Sequence, residues 1–166
     1  GAPATKKKFI LSVARFETEG TKRQREMAGA FLKLGRDWPE VVSGWTLVLA
    51  GGSPPGNRYL AGLERLTGGG RPGGPVELRV NIPLPELKAL YSEAGLFWHV
   101  CGLTHDDPSE IEHFGMTTVE AMQNRVVPLV YDGGGLREIV DHGLNGFRVR
   151  TTGRLLEATI RLLQDP

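Results

Sequence analysis

The sequence predicts an α/β protein: a Rossmann-like, doubly wound parallel sheet of about six strands with helices on both faces. Three observations carry that expectation. Short apolar runs alternate with helical patterns along the whole chain, and this alternation builds parallel sheets covered by helices. Glycines recur singly or in pairs just after the apolar runs, at the points where strands would exit. The length of 166 residues suits one domain with a real core. Right-handed crossovers then make the sheet doubly wound.

The elements follow in order. "FILSVARF" (9–16) is a buried-strand run, and the stretch from Arg25 to Leu34 places apolar residues at 27, 28, 31, 32 and 34, a helical face. "WTLVLAGG" (45–52) is a second strand with glycine at its exit, and "NRYLAGLERL" (57–66) again has helical spacing. "LTGGGRPGGP" (66–75) is a flexible surface loop. "VELRVN" (76–81) alternates as a third strand. "PLPELKALYSEA" opens with prolines, which suit a first helical turn, and "GLFWHV" is a fourth strand. A long loop, 101–115, leads to a helix starting near Gly115 or Met116. "RVVPLVYDGGG" is a fifth strand, "LREIVDHG" a short helix, "NGFRVR" a sixth strand and "RLLEATIRLLQDP" a final helix. Residues 1–5 read as a disordered linker or an artificial scar, and 6–166 as one domain.

Composition narrows the functions. A net charge of +1 argues against a nucleic-acid binder acting through bulk electrostatics. Cys101 is the only cysteine, so neither an internal disulfide nor a Cys-rich metal cluster can form. No apolar run approaches the roughly 20 residues that span a bilayer, and "GAPATKKKFI" does not read as a signal peptide. The expected location is the cytoplasm, or the cytoplasmic face of a membrane.

In doubly wound sheets ligands bind beyond the carboxyl ends of the strands, so the chemistry is sought in those loops. The first strand exits into "ARFETEGTKRQRE", without the G-x-G-x-x-G of a dinucleotide site. Arg15 and Lys22 flank that loop, with Arg23 and Arg25 behind. Arginine as a fork and lysine as a point charge suit a diphosphate; a solvated basic loop is the plain alternative. After the fourth strand stands "EIEHFGMTTVEAM" (110–122). The first amides of its helix lack intrahelical partners and can hold an anion. The Glu120 carboxylate leans back over the helix mouth and can accept from two adjacent ribose hydroxyls; Glu112, in the loop, can accept sugar hydroxyls. Each also reads as an ordinary loop or first-turn charge. With "DGGG" after the fifth strand, the set fits a nucleoside diphosphate bearing a hydroxyl-rich group.

In "LSVARF…KRQ", "LVLAGG", "ELKALYSEAGLFWH", "EHFGMTTVEAM" and "VVPLVYDGGGLREIVDHGLNGF" the chain resembles the C-terminal, donor-binding half of a GT-B-fold retaining glycosyltransferase of the group 1 family. "EHFG" and "FWH" resemble the dolichol-linked α-1,2-mannosyltransferases and their bacterial relatives. The resemblance implies that Arg15 and Lys22 hold the donor diphosphate and stabilise the departing nucleotide. It implies that Glu120 binds the ribose, that Glu112 lies beside the donor sugar, and that His113 borders the sugar site. Phe114, Gly115, Met116 and Thr117 match a segment whose amides face sugar and phosphate, and Asn81 and Ile82 an edge that meets the base through backbone groups. The implied substrate is a GDP- or UDP-sugar, transferred to an acceptor hydroxyl by a metal-independent reaction with no further cofactor. No D-x-D occurs in the chain. The acceptor-binding half and the C-terminal crossing helix are expected outside these residues, which leaves the fragment alone inactive and a membrane or lipid-linked acceptor open to the missing half.

One departure from the family pattern falls at "AMQNRVVP", where a small residue and glycine normally end the helix; Asn124 is expected to take the left-handed cap. His99 is expected to pack in the core, "DHGLNG" to be turn chemistry, and Trp38, Trp45 and Trp98 to anchor core and loops. Two other function classes stay open: another GT-B enzyme such as an epimerase, and a binding module that has lost turnover.

Overall fold

The computed structural model describes residues 4–103 and 115–165. Six parallel strands form one sheet: β1 (Phe9–Val13), β2 (Thr46–Gly51), β3 (Val76–Val80), β4 (Leu96–His99), β5 (Val127–Tyr131) and β6 (Phe147–Val149). Their order is β3-β2-β1-β4-β5-β6. Between them run α1 (Gln24–Asp37), α2 (Arg58–Leu66), α3 (Leu84–Glu93), α4 (Met116–Gln123) and α5 (Leu136–Ile139), and α6 (Thr152–Gln164) follows β6. The six-stranded, doubly wound Rossmann-like sheet anticipated from the sequence is the fold observed.

The period of two in each strand sorts its side chains onto two layers. Ile10, Leu47, Leu49, Leu96, Trp98, Leu129 and Tyr131 join α1, α2 and α6 in one core through Met27, Phe31, Leu34, Leu63 and Leu155. Phe9, Leu11, Val13, Val48, Ala50 and Phe97 face the other way, onto Leu90 and Tyr91 of α3 and Ala121 of α4. Val130 packs with Leu136 and Val140 around α5. Trp98 is fully buried, meets Phe31 edge-on at 6.4 Å, and donates its indole N–H to Thr159 Oγ1 at 3.2 Å. Among the described residues no helix is long and apolar enough to cross a membrane.

Boundaries moved in two instructive places. The regular ladder of β1 stops at Val13 instead of Phe16, yet Ala14 N–H still donates to Ala50 O (3.0 Å) and Phe16 N–H to Gly52 O (2.9 Å). At the end of α4 the left-handed residue is Arg125 (φ 60°), not Asn124, whose φ is −94°. Asn124 closes the helix differently, donating from Nδ2 to Glu120 O at 2.9 Å.

Candidate functional site

Chain order reverses between β1 and β4, which pair directly through Ile10–Leu96 and Leu11–Phe97. This switch point opens a crevice at the carboxyl edge, flanked by the loops after β1 and β4. Cys101, buried behind β4, donates its thiol to Thr21 O at 3.4 Å, so the two loops touch.

The loop after β1 is held from below. Gln24, the first residue of α1 and 2% exposed, donates from Nε2 to Arg15 O (3.0 Å) and Ala14 O (3.4 Å). Asn57 caps α2 by accepting from Tyr59 N–H and Leu60 N–H and donates from Nδ2 to Phe16 O at 2.7 Å and Ser53 Oγ at 3.0 Å. Phe16 is buried as the anchor between these ties. The Arg15 side chain is thereby left exposed at the rim, and Lys22 is half-buried at the far end of the loop. Arg23 turns inward instead: it is 6% exposed, left-handed (φ 64°), and its guanidinium lies 3.8 Å from Glu26. The Glu17 carboxylate accepts from the Thr21 hydroxyl within the same loop.

Across the switch point α4 begins at Met116 with no side-chain cap, so its first-turn amides have no intrahelical acceptor. Gly115 precedes it in the left-handed region (φ 63°). A Cβ there would meet Ile139 Cδ1 at 2.7 Å and Leu136 Cδ2 at 2.9 Å, so glycine is required twice over. Met116 is exposed, Thr117 half-buried and Thr118 fully buried.

Glu120 is exposed on the second turn of α4. It borders a groove of about 660 Å³ between α3 and α4, with Leu84, Leu87, Tyr91 and Gln123. Burial, and secondly the adjacent Glu120 carboxylate, push the Tyr91 phenol far above its ordinary pKa. The Tyr91 hydroxyl is buried and, among the described residues, completes no hydrogen bond of good geometry, so its relation to Glu120 is proximity.

Asn81 follows β3 in the left-handed region (φ 54°). Its amide clasps Ser53: Oδ1 accepts from Ser53 N–H at 2.9 Å and Nδ2 donates to Ser53 O at 3.1 Å. The Asn81 backbone N–H is also taken, donating to Gly51 O at 3.0 Å. Ile82 is half-buried against the α3–α4 core.

Arg15, Lys22, Asn81, Ile82, Gly115, Met116 and Thr117 thus follow strands or open α4 at the carboxyl edge, while Glu120, on the second turn of α4, borders the α3–α4 groove. Arg15 makes no hydrogen bond or ion pair with another described residue through its side chain. Glu112, His113 and Phe114 lie outside the described residues. Among the described residues no three His, Cys, Asp or Glu side chains gather to hold a metal ion. After β5, Asp132 is taken up by arginines: Arg137 Nε at 3.0 Å, Arg150 Nε at 3.5 Å and Arg148 at 3.8 Å. His99 is buried and stacks on Phe97 at 6.4 Å, as expected of a core histidine. His142 is exposed, and its Nδ1 accepts from Arg148 N–H at 3.0 Å. Gly143 takes φ 81° in the expected turn.

Sequence reasoning missed Gln24, Asn57, Ser53 and Tyr59. Asn57 carried a signal, since asparagine before a helical pattern is an N-cap. Gln24 carried none.

Solved structures resemble this chain closely in fold. An Anabaena protein, HepE, in complex with UDP-glucose has a TM-score of 0.70 and 24% identity over 96% of this chain and 40% of its own. A UDP-forming trehalose-phosphate synthase from Burkholderia xenovorans gives 0.72 and 18%, over 96% and 37%. The catalytic domain of starch synthase IV from Arabidopsis thaliana, bound to ADP and acarbose, gives 0.64 and 20%, over 99% and 35%. This chain therefore spans about two fifths of the length of such GT-B proteins. No curated protein matches it by sequence. The family model for glycosyl transferases group 1 matches residues 1–166, and the chain belongs to that family.

Proposed function

We propose that this chain is the donor-binding half of a retaining glycosyltransferase that moves a sugar from a GDP- or UDP-sugar to an acceptor hydroxyl. One observation carries the reading: the cationic loop after β1 and the uncapped start of α4 flank the same switch point. Arg15, Lys22 and the α4 amides hold the diphosphate and stabilise the negative charge that builds on it as the glycosidic bond breaks. The cations do so without a metal ion. Glu120 accepts from the ribose hydroxyls, Glu112 and His113 sit beside the donor sugar, the amides of Phe114 to Thr117 line sugar and phosphate, and the backbone at Asn81 and Ile82 meets the base. The acceptor oxygen attacks on the face from which the nucleotide departs, with no nucleophile from the enzyme. A partner half, outside these residues, supplies the acceptor site and any lipid-linked acceptor. The dolichol-linked mannosyltransferases are the subgroup this reading favours, on "EHFG" and "FWH". Two findings support the nucleotide class: the family match and the UDP and UDP-glucose complexes of the Anabaena protein.

Calorimetric titration with UDP and GDP tests it. One of the two binds weakly, and EDTA leaves that binding unchanged. Lys22→Ala weakens the diphosphate more than the corresponding nucleoside. No heat with either nucleotide, or undiminished affinity in Glu120→Ala, would overturn the reading.

A further inference from the structure

The cationic loop has turns of its own, with Glu17 N–H donating to Arg15 O and Gly20 N–H to Glu17 O, but its first residues are also held from outside. Ala14, Arg15 and Phe16 leave the regular β1 ladder, and their three carbonyls are tied by two amide side chains, one on α1 and one capping α2. Gln24 takes the Ala14 and Arg15 carbonyls, and Asn57 takes that of Phe16. Carbonyl oxygens only accept, so the Gln24 amide must present its nitrogen to them and its oxygen away. That oxygen lies 3.4 Å from Tyr59 Oη, which donates to it. Tyr59 Oη in turn accepts from Arg25 N–H at 3.0 Å, so its own proton is left for Gln24. The Tyr59 ring also underlies the loop at Gly20 (φ 70°), where a Cβ would stand 2.8 Å from it. Tyr59, Gln24 and the backbone of Arg15 therefore form one chain of donors and acceptors, shielded from water at its middle.

We infer that Gln24, oriented by Tyr59, is a positioning residue for Arg15. This rests on the reading of Arg15 as part of the diphosphate clamp. An exposed arginine on a free loop would lose entropy each time it gripped an anion; a loop fixed before binding does not. Gln24 acts through the backbone carbonyls of Arg15 and, more weakly, Ala14, not by contact with the ligand. Two consequences separate it from a residue that merely supports the fold. Its loss lowers affinity for diphosphate and leaves the nucleoside part untouched, and the loss vanishes when Arg15 is already gone.

A double-mutant cycle tests this, with UDP, GDP and inorganic pyrophosphate titrated into wild type, Gln24→Ala, Arg15→Ala and the double variant. Gln24→Ala is expected to weaken UDP or GDP and pyrophosphate about five- to tenfold, and by less than about twofold in the Arg15→Ala background. Uridine and guanosine affinities are expected to stay level. Tyr59→Phe keeps the ring under Gly20 and removes only the hydroxyl; it is expected to give a smaller loss of the same kind, and it serves if Gln24→Ala folds poorly. Equal losses in both backgrounds, or no loss in Gln24→Ala or Tyr59→Phe, would overturn the inference while leaving the donor-binding reading in place. A silent Arg15→Ala in a chain that still binds would also overturn it alone. Absence of nucleotide binding in wild type would overturn both.

Discussion

Gly51, at the exit of β2, shows a glycine required by a close approach of backbone to backbone. Glycine at a strand exit suggests a close approach of backbone to ligand, but the close approach here is to the next loop: a Cβ on Gly51 would stand 1.8 Å from Ala14 O. Backbone faces backbone, so no side chain can swing aside. Gly51→Ala must part the exits of β1 and β2 and break the Ala14–Ala50 and Phe16–Gly52 bonds. The expected loss is more than about 3 kcal/mol in urea unfolding; a loss below about 1 kcal/mol would mean the strands give way. Asn81 makes the opposite case, a left-handed position filled by a residue with a side chain. Asn81→Gly keeps the backbone and forfeits the Ser53 clasp, a loss of about 1 kcal/mol. Asn81→Ala forfeits the clasp and adds about 1–2 kcal/mol of left-handed strain. Alanine should therefore be worse than glycine here, the reverse of the usual order within a strand, and thermal or urea midpoints of the two variants decide it.

At the scale of elements, what was legible in the sequence was local, and what was not was a contact. Strand runs and helical faces were readable because each is written in consecutive residues; the caps at Asn57 and Thr151 also lie beside the helices they serve, but the sequence reading passed over both. The overshoot of β1 to Phe16 arose because its pattern continues after the ladder stops, through the two extra bonds to β2's exit. The cap of α4 was misplaced by one residue because Arg125, a poor left-handed candidate on its own, is put there by the helix end. At the other end, Gly115 was read from a family pattern, while its cause is that α4 starts hard against α5. Gly115→Ala is expected to lose about 2 kcal/mol, left-handed strain included. Part of that comes from Ile139 Cδ1 at 2.7 Å, an atom that Ile139→Val removes. The double variant should therefore lose less than the sum of the two single losses; strict additivity would put the whole effect in the backbone.

The whole molecule explains why the candidate site was only partly visible beforehand. Arg15 and Lys22, Asn81, and the start of α4 come from three separate segments, and only the strand order brings them to one edge. The alternation of elements predicted that edge, but Gln24 and Tyr59 act across 35 residues of sequence, a pairing that no periodicity announces. The same holds at the far side of the sheet, where Asp132 joins β5, α5 and β6 through Arg137, Arg148 and Arg150. Burial pushes the Asp132 carboxyl up, but the Arg137 hydrogen bond and the surrounding arginine charges outweigh it, and its folded pKa falls below the ordinary value. The folded state then binds fewer protons there than the unfolded chain. The resulting stability is complete above the unfolded carboxylate value of about 3.9 and is lost as pH falls through the folded value. The network is partly exposed, so its contribution is held to about 1 kcal/mol. Asp132→Asn keeps the shape and removes the charge, and every other carboxylate titrates alike in both proteins. The difference between wild type and Asp132→Asn in urea unfolding isolates this one group. It should stand near its full size at pH 7 and pH 5 and shrink towards zero as the pH falls through the lowered folded value; a gap that persists unchanged in acid would mean that Asp132 holds the three elements by shape and hydrogen bonding, without its charge.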